Sequence, residues 1–186
     1  MEIRETMLPV LAPKGGKEEI QALQEVIESG WWGKGPKVAE FEEKFAEMVG
    51  HKYACAVTSA SHGQDLIMKA MGFKGIDVIN PTISFIATAM VPLWNGFTSN
   101  IVDVRCKSIP LWNGFTYNIN NVLPDTMCID PKDVEKYKKP NSEVMIAVNQ
   151  AGVSCDFEAL RKVFGGFILE DTAHSCYTPG AGHGGD

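Results

Sequence analysis

Gly166-Phe167-Ile168-Leu169-Glu170-Asp171-Thr172-Ala173-His174 sets a short apolar run directly before two carboxylates, a hydroxyl and an imidazole. Phe167 to Leu169 is too short for a helix and reads as a buried strand. The stretch before it, Phe157 to Val163, has helical spacing and is closed by Gly165. A helix feeding a short apolar strand with a polar exit is the repeating unit of an α/β sheet. In such sheets ligands gather at the carboxyl ends of the strands.

The same unit recurs upstream. Strands are predicted at Ala54 to Thr58, Asp77 to Asn80, Asn100 to Val104 and Val144 to Val148. Helices are predicted at Asp65 to Met71 with Gly72 closing it, at Ile86 to Leu93 and at Pro131 to Lys138. The fold class is α/β with a mainly parallel sheet flanked by helices. Nearer the N-terminus, residues 17 to 29 place Ile20, Leu23, Val26 and Ile27 on one helical face before Gly30. A second helix starts at Pro36, with Val38, Phe41, Phe45 and Met48 on its buried side and Gly50 at its end. The loop between them, Gly30-Trp31-Trp32-Gly33-Lys34-Gly35-Pro36, either lines a site or covers a core edge.

One feature breaks the rhythm. Pro92-Leu93-Trp94-Asn95-Gly96-Phe97-Thr98-Ser99-Asn100-Ile101 recurs as Pro110-Leu111-Trp112-Asn113-Gly114-Phe115-Thr116-Tyr117-Asn118-Ile119, with one substitution. Two copies are too few for a solenoid. The first copy falls where a helix hands over to a strand. The second has no helix of its own and reads as a duplicated surface loop over about residues 107 to 124. A fold can carry such an insertion, because each doubling of a loop costs only about 0.6 kcal/mol.

Composition narrows the function. The 17 basic residues are scattered and outnumbered by 23 acidic ones, giving a net charge of −6. That balance excludes a nucleic-acid binder, which needs a basic footprint. Phe85 to Trp94, the longest apolar stretch, is interrupted by Thr88 and Pro92 and falls short of the ~20 residues of a spanning helix, so no membrane segment is expected. The acidic N-terminus does not resemble a secretory leader. Five cysteines without a CxxC pair suit reduced thiols, so a cytoplasmic protein is expected. The four histidines show no metal-ligand spacing, and no metal is expected.

Three strand exits carry candidate chemistry, each with a plain structural alternative. The Glu170 to His174 segment either directs a carboxylate into a cleft or forms a turn, since Asp and Thr favour both caps and turns. Thr58-Ser59-Ala60-Ser61-His62-Gly63 precedes a helix, where free N–H groups and the dipole cradle anions, but an ordinary Ser cap explains it equally well. Phe85 follows the next exit and reads on its own as core. A Cys-His hydrolase built from Cys176 and His174 has no oriented third partner in the sequence.

In this order the segments resemble the DegT/DnrJ/EryC1/StrS sugar aminotransferases, a branch of the fold-type I pyridoxal-phosphate enzymes. Gly33 to Phe45 is similar to the family's glycine-proline entry and following helix. Val57 to Gly72 resembles its phosphate turn, and Pro81 to Ala89 its P-x-x-T-F-x-A-T-A segment. Ile146 to Asp156 resembles the strand leading to a glycine turn and Asp, and Leu169 to His174 the EDxAH motif. The resemblance covers residues 1 to 186 apart from the duplicated loop. It implies a partial fold-type I large domain without the family's C-terminal small domain.

The resemblance also implies roles. Asp171 would bind the ring nitrogen of pyridoxal phosphate and keep it protonated. Phe85 would stack on one face of the ring and Ala173 lie on the other. Ser59, Ala60 and Ser61 would take the phosphate, and His174 would sit at the cofactor's edge. The family moves an amino group from an amino acid to a nucleotide-linked keto-sugar, works as a homodimer with its sites at the interface, and includes dehydratases. Two departures stand out. Ala60 replaces the family's usual glycine, removing the freedom to take positive φ, so weaker phosphate binding is expected. The Schiff-base lysine would follow the stretch Gly180-Ala181-Gly182-His183-Gly184-Gly185-Asp186, where the sequence ends, so a chain inactive on its own is expected. A non-catalytic module, holding cofactor or completing a partner chain, is the alternative expectation.

Overall fold

A computed structural model describes residues 14–102, 123, 125–176, 178 and 181–186. The chain forms two compact units, Met1–Ala56 and Val57–Asp186.

The first unit holds α1 (Lys17–Ser29) and α2 (Pro36–Met48). The Glu19 carboxylate accepts from Gly16 N at 2.6 Å at the start of α1, and Gly30 ends the helix at φ 73°. Pro36 opens α2, where its missing N–H has no carbonyl to serve. Both helices match the boundaries read from the sequence, but their burial differs. No α1 residue is buried, and Ile20, Leu23 and Ile27 are each more than half exposed. In α2, Phe41 and Met48 are also exposed, whereas Val38 and Phe45 are half-buried and Ala46 is buried. Two short helices enclose too little volume to cover two apolar faces.

The second unit is built on a four-stranded parallel sheet in the order β2-β1-β3-β4. Its strands are β1 (Asp77–Pro81), β2 (Thr98–Val102), β3 (Ser142–Val148) and β4 (Phe167–Asp171). Helices α3 (Ala60–Met71), α4 (Ile86–Trp94), α5 (Pro131–Tyr137) and α6 (Phe157–Val163) complete it. Successive residues of β3 feed two cores. Met145 and Ala147 join Ile79, Ile168, Val134 and Leu160 on one face, while Val144, Ile146 and Val148 join Val78, Leu169, Met68 and Val91 on the other. Burial on both faces explains why these strands read as continuous apolar runs rather than alternating ones. Asp130 and Asp156 cap α5 and α6, accepting from Lys132 N and Ala159 N at 2.9 Å each.

Several expectations are corrected. Ala54 to Thr58 forms no strand: among the described residues no strand pairs with it, and the Ala56 N–H donates instead to Glu42 Oε1 at 2.9 Å. Helix α3 starts at Ala60 rather than Asp65, because Ser59 caps it. Strand β2 starts at Thr98, two residues before the predicted Asn100. The first copy of the repeat spans the end of α4, a turn at Gly96 (φ 77°) and β2. Of the duplicated loop only Leu123 is described; the remainder, with Cys106, lies outside the described residues. Among the described residues no helix is long and apolar enough to cross a membrane, and no cluster could hold a metal ion.

Asp77 ties β1 to both neighbouring strands from a side chain with no solvent exposure. Its carboxylate accepts from Lys139 Nζ (2.7 Å), Ser142 Oγ (2.7 Å), Thr98 Oγ1 (2.9 Å) and Asn100 Nδ2 (3.0 Å). Burial pushes this carboxyl up, but the four donors outweigh it and hold the group below the usual carboxylate value. A depressed folded pKa contributes stability above the unfolded value of about 3.9, and that contribution is lost as pH falls through the folded value. Asp77→Ala is expected to cost about 3–5 kcal/mol at pH 7 in urea unfolding. The gap between variant and parent is expected to narrow below about pH 4; a constant gap would show that the carboxylate charge is not what matters.

Candidate functional site

All four parallel strands exit on the same edge of the sheet, and the candidate residues follow from that edge. β4 pairs with β3 as far as Val148↔Asp171, and Asn149 N donates to Asp171 O at 3.0 Å, which fixes the backbone at the exit. The Asp171 side chain then makes two bonds. Oδ1 accepts from Ala173 N at 3.0 Å, the i to i+2 bond of an Asx turn, and Oδ2 accepts from Gln64 Nε2 at 2.9 Å. The turn reading and the cleft reading of this segment are therefore compatible, since the same carboxylate makes the turn and lines a cleft.

That cleft, of about 260 Å³, runs from the first turns of α3 (Ala60, Gly63, Gln64, Ile67) to the end of β4 (Leu169, Glu170, Asp171, Thr172, Ala173), with Cys176 at its margin. At its α3 end, Ser59 Oγ accepts from His62 N at 3.3 Å, and His62 Nδ1 is hydrogen-bonded to Thr58 Oγ1. The N–H groups of Ala60 and Ser61, in the first turn, have no intrahelical carbonyl to serve and lie at the positive end of the dipole. Ala60 has no positive φ; among the described non-glycine residues only Met127 and Ala151 do. The position thus asks for no glycine freedom, and the backbone reason for expecting weaker phosphate binding falls away.

Ala60, Asp171 and Ala173 meet in this cleft. Ser59 and Ser61 flank Ala60 at the start of α3 but are not among the lining residues. Phe85 stands outside the lining, 72% exposed, as the residue before α4. His174 is exposed in the turn after β4 and also outside it. Among the described residues no hydrogen bond joins His174 to Cys176. Among the described residues no lysine lines the cleft. Lys69 and Lys162 instead pair one turn away on their own helices, with Asp65 (2.6 Å) and Glu158 (2.7 Å).

Three further contacts were not evident from the sequence. Gln64, 5% exposed, holds Asp171 from α3, while its Oε1 is buried and, among the described residues, without a hydrogen-bond partner. Glu170 accepts from Asn149 Nδ2 (2.7 Å) and from the backbone N–H groups of Gly182 (2.8 Å), Gly184 (2.9 Å) and Gly185 (3.2 Å). Its carboxylate thus fastens the glycine-rich segment rather than serving the cleft; the two-residue period of a strand, which sends 170 and 171 to opposite sides, was the available signal. Lastly, Gln150 Nε2 donates to Ile83 O at 2.5 Å, joining the loops after β3 and β1 beside a turn where Ala151 takes φ 48°.

A pyridine ring with a protonated nitrogen and an attached phosphate fits this donor set. Asp171 keeps lone pairs beyond its two protein bonds, Gln64 Oε1 is an unmatched buried acceptor, and α3 starts at the other end of the cleft. The parallel sheet flanked by helices is part of the fold of the fold-type I pyridoxal-phosphate enzymes. The chain belongs to the DegT/DnrJ/EryC1/StrS aminotransferase family, whose model matches residues 13–184. It is 37% identical over 179 residues to the spore coat polysaccharide biosynthesis protein SpsC of Bacillus subtilis, a match covering 94% of this chain and 41% of SpsC. It superposes on the aminotransferase TlmJ of Streptoalloteichus hindustanus with a TM-score of 0.76 and 26% identity, covering 97% of this chain and 47% of TlmJ. The E. coli GDP-4-keto-6-deoxy-D-mannose-3-dehydratase, solved with bound hydrated PLP, shares the fold at a TM-score of 0.73 and 24% identity. That match covers 88% of this chain and 40% of the dehydratase. The chain therefore spans less than half the length of each of these relatives.

Glu170→Ala is expected to release the glycine-rich segment. Amide hydrogen exchange at Gly184 and Gly185 should accelerate by about tenfold or more, while the buried amides of β3 keep their protection. Unchanged exchange at those two glycines would mean that the Glu170 bonds do not hold the segment.

Proposed function

We propose that these residues form the ring- and phosphate-holding part of a pyridoxal-phosphate site. The parent activity would be amino transfer from an amino acid to a nucleotide-linked keto-sugar, in a cytoplasmic homodimer. The observation that carries this reading is the Asp171 carboxylate at the exit of β4, facing the start of α3 across one cleft. Pyridoxal phosphate, when bound, supplies an electron sink through which an amino group passes between substrates. Asp171 holds a proton at the ring nitrogen, and a charged hydrogen bond of this kind is worth about 1.5–3 kcal/mol. The N–H groups of Ala60 and Ser61, with the hydroxyls of Ser59 and Ser61, bind the phosphate at the start of α3. By the family resemblance Phe85 and Ala173 would bracket the ring and His174 would stand at its edge, although of these three only Ala173 lines the cleft. The free thiols of Cys55, Cys128, Cys155 and Cys176 suit a reducing compartment.

Among the described residues no lysine lines the cleft, which supports a second reading. The 186 residues then hold the cofactor without transferring an amino group, either as a non-catalytic module or as a partner that another chain completes. Both readings are tested together by adding pyridoxal phosphate to the purified chain, reducing with borohydride and recording the intact mass. The expected result is cofactor retained without a covalent adduct, and retention lost in Asp171→Ala. A stoichiometric adduct on a single lysine would show that the chain carries its own nucleophile. Undiminished retention in Asp171→Ala would remove the assignment of the ring nitrogen to Asp171.

A further inference from the structure

Gln64 is the buried polar group that the family roles leave unused. It lies one turn into α3, yet its amide reaches across 107 residues of sequence to Asp171 Oδ2 at 2.9 Å. The amide orientation follows from chemistry: an ionised carboxylate only accepts, so the Gln64 group facing it is the NH₂. That leaves Oε1 buried and, among the described residues, without a partner. An orphaned buried acceptor costs free energy in a folded protein, so the bond that the other half of the amide makes to Asp171 is what this buried glutamine offers in return.

We propose that Gln64 is a positioning residue for the cofactor-binding carboxylate. It fixes Asp171 in the orientation that receives a protonated ring nitrogen. This rests on the pyridoxal-phosphate reading above. With Ala173 N on Oδ1 and Gln64 Nε2 on Oδ2, both carboxylate oxygens are held from the protein side, and their remaining lone pairs serve an incoming cationic N–H. Without Gln64, one oxygen loses its tether, and the carboxylate is free to turn toward solvent or toward the unpaired start of α3. The ligand class that gains from Gln64 is therefore a heteroaromatic cation bearing a phosphate. The same ring without its nitrogen gains nothing.

The test measures equilibrium binding of three probes to the full 186-residue chain: pyridoxal phosphate, its 1-deaza analogue with carbon in place of the ring nitrogen, and inorganic phosphate. The parent chain is expected to prefer pyridoxal phosphate over the deaza analogue by about tenfold. Gln64→Met is expected to reduce that preference to about threefold or less, leaving the affinity for inorganic phosphate unchanged. Gln64→Leu neither donates nor accepts; it should erode the preference equally and stands in if the methionine variant fails to fold. In an Asp171→Asn background, Gln64→Met should produce no further change, because it acts through the lost carboxylate. Equal weakening of all three probes would overturn the proposal, since a purely structural residue does that. A preserved preference in both Gln64 variants would overturn it as well. If Asp171→Asn itself leaves the preference intact, or the parent chain binds none of the probes, the cofactor reading fails and the proposal fails with it.

Discussion

Parallel pairing through β3 is the constraint on which the rest of the second unit depends. This strand bonds to β1 on one side and β4 on the other, and five consecutive buried residues, Val144 to Val148, contribute to both apolar cores. Parallel pairing requires each chain reversal to run through a crossover, so the strand exits all lie at one edge. The turn after β3, the Asp171 turn after β4 and the loop after β1 meet there because of that geometry. Asn149 and Gln150 join them at the backbone and side-chain level. The cleft is thus a consequence of the sheet rather than an independent feature.

Within that edge the chemistry is divided between two adjacent carboxylates. Strand alternation sends Glu170 to the glycine-rich segment and Asp171 to the cleft. Asp186 reinforces the first arrangement. It accepts from Arg161 through both oxygens (2.9 and 2.7 Å) and from Ile168 N at 2.7 Å, and its own N–H donates to Ile168 O at 2.9 Å. The Arg161 guanidinium, chiefly, holds its carboxyl below the usual carboxylate range. The segment from Ala181 to Asp186 therefore lies along β4 and occupies backbone groups that a bare edge strand would leave open. Asp171, freed from that task, is available to a ligand.

The sequence was most informative where local signals and tertiary packing agree. Helix α1 ends at Gly30 and α2 begins at Pro36 and stops just before Gly50, and β1, β3 and β4 follow their apolar runs. Ala54 to Thr58 has strand-like residues but no described partner, and partners are not written into local composition. The apolar faces of α1 and α2 were legible as faces, while what covers them was not. Asp171 was singled out as a candidate from its place after an apolar strand, and its proposed role from the family resemblance. Gln64 was not, because a glutamine in the first turns of a helix has no local mark of its function. Its meaning arises only when α3 packs beside the exit of β4.

The central claim is that Asp171 and the start of α3 jointly hold one phosphorylated pyridine ring. A crystal structure of the chain grown with pyridoxal phosphate tests this most directly. The account expects the ring nitrogen within hydrogen-bonding distance of Asp171 and the phosphate at the N–H groups of Ala60 and Ser61. Density for the cofactor away from the β4 exit, or with its phosphate against Asp171, would contradict it.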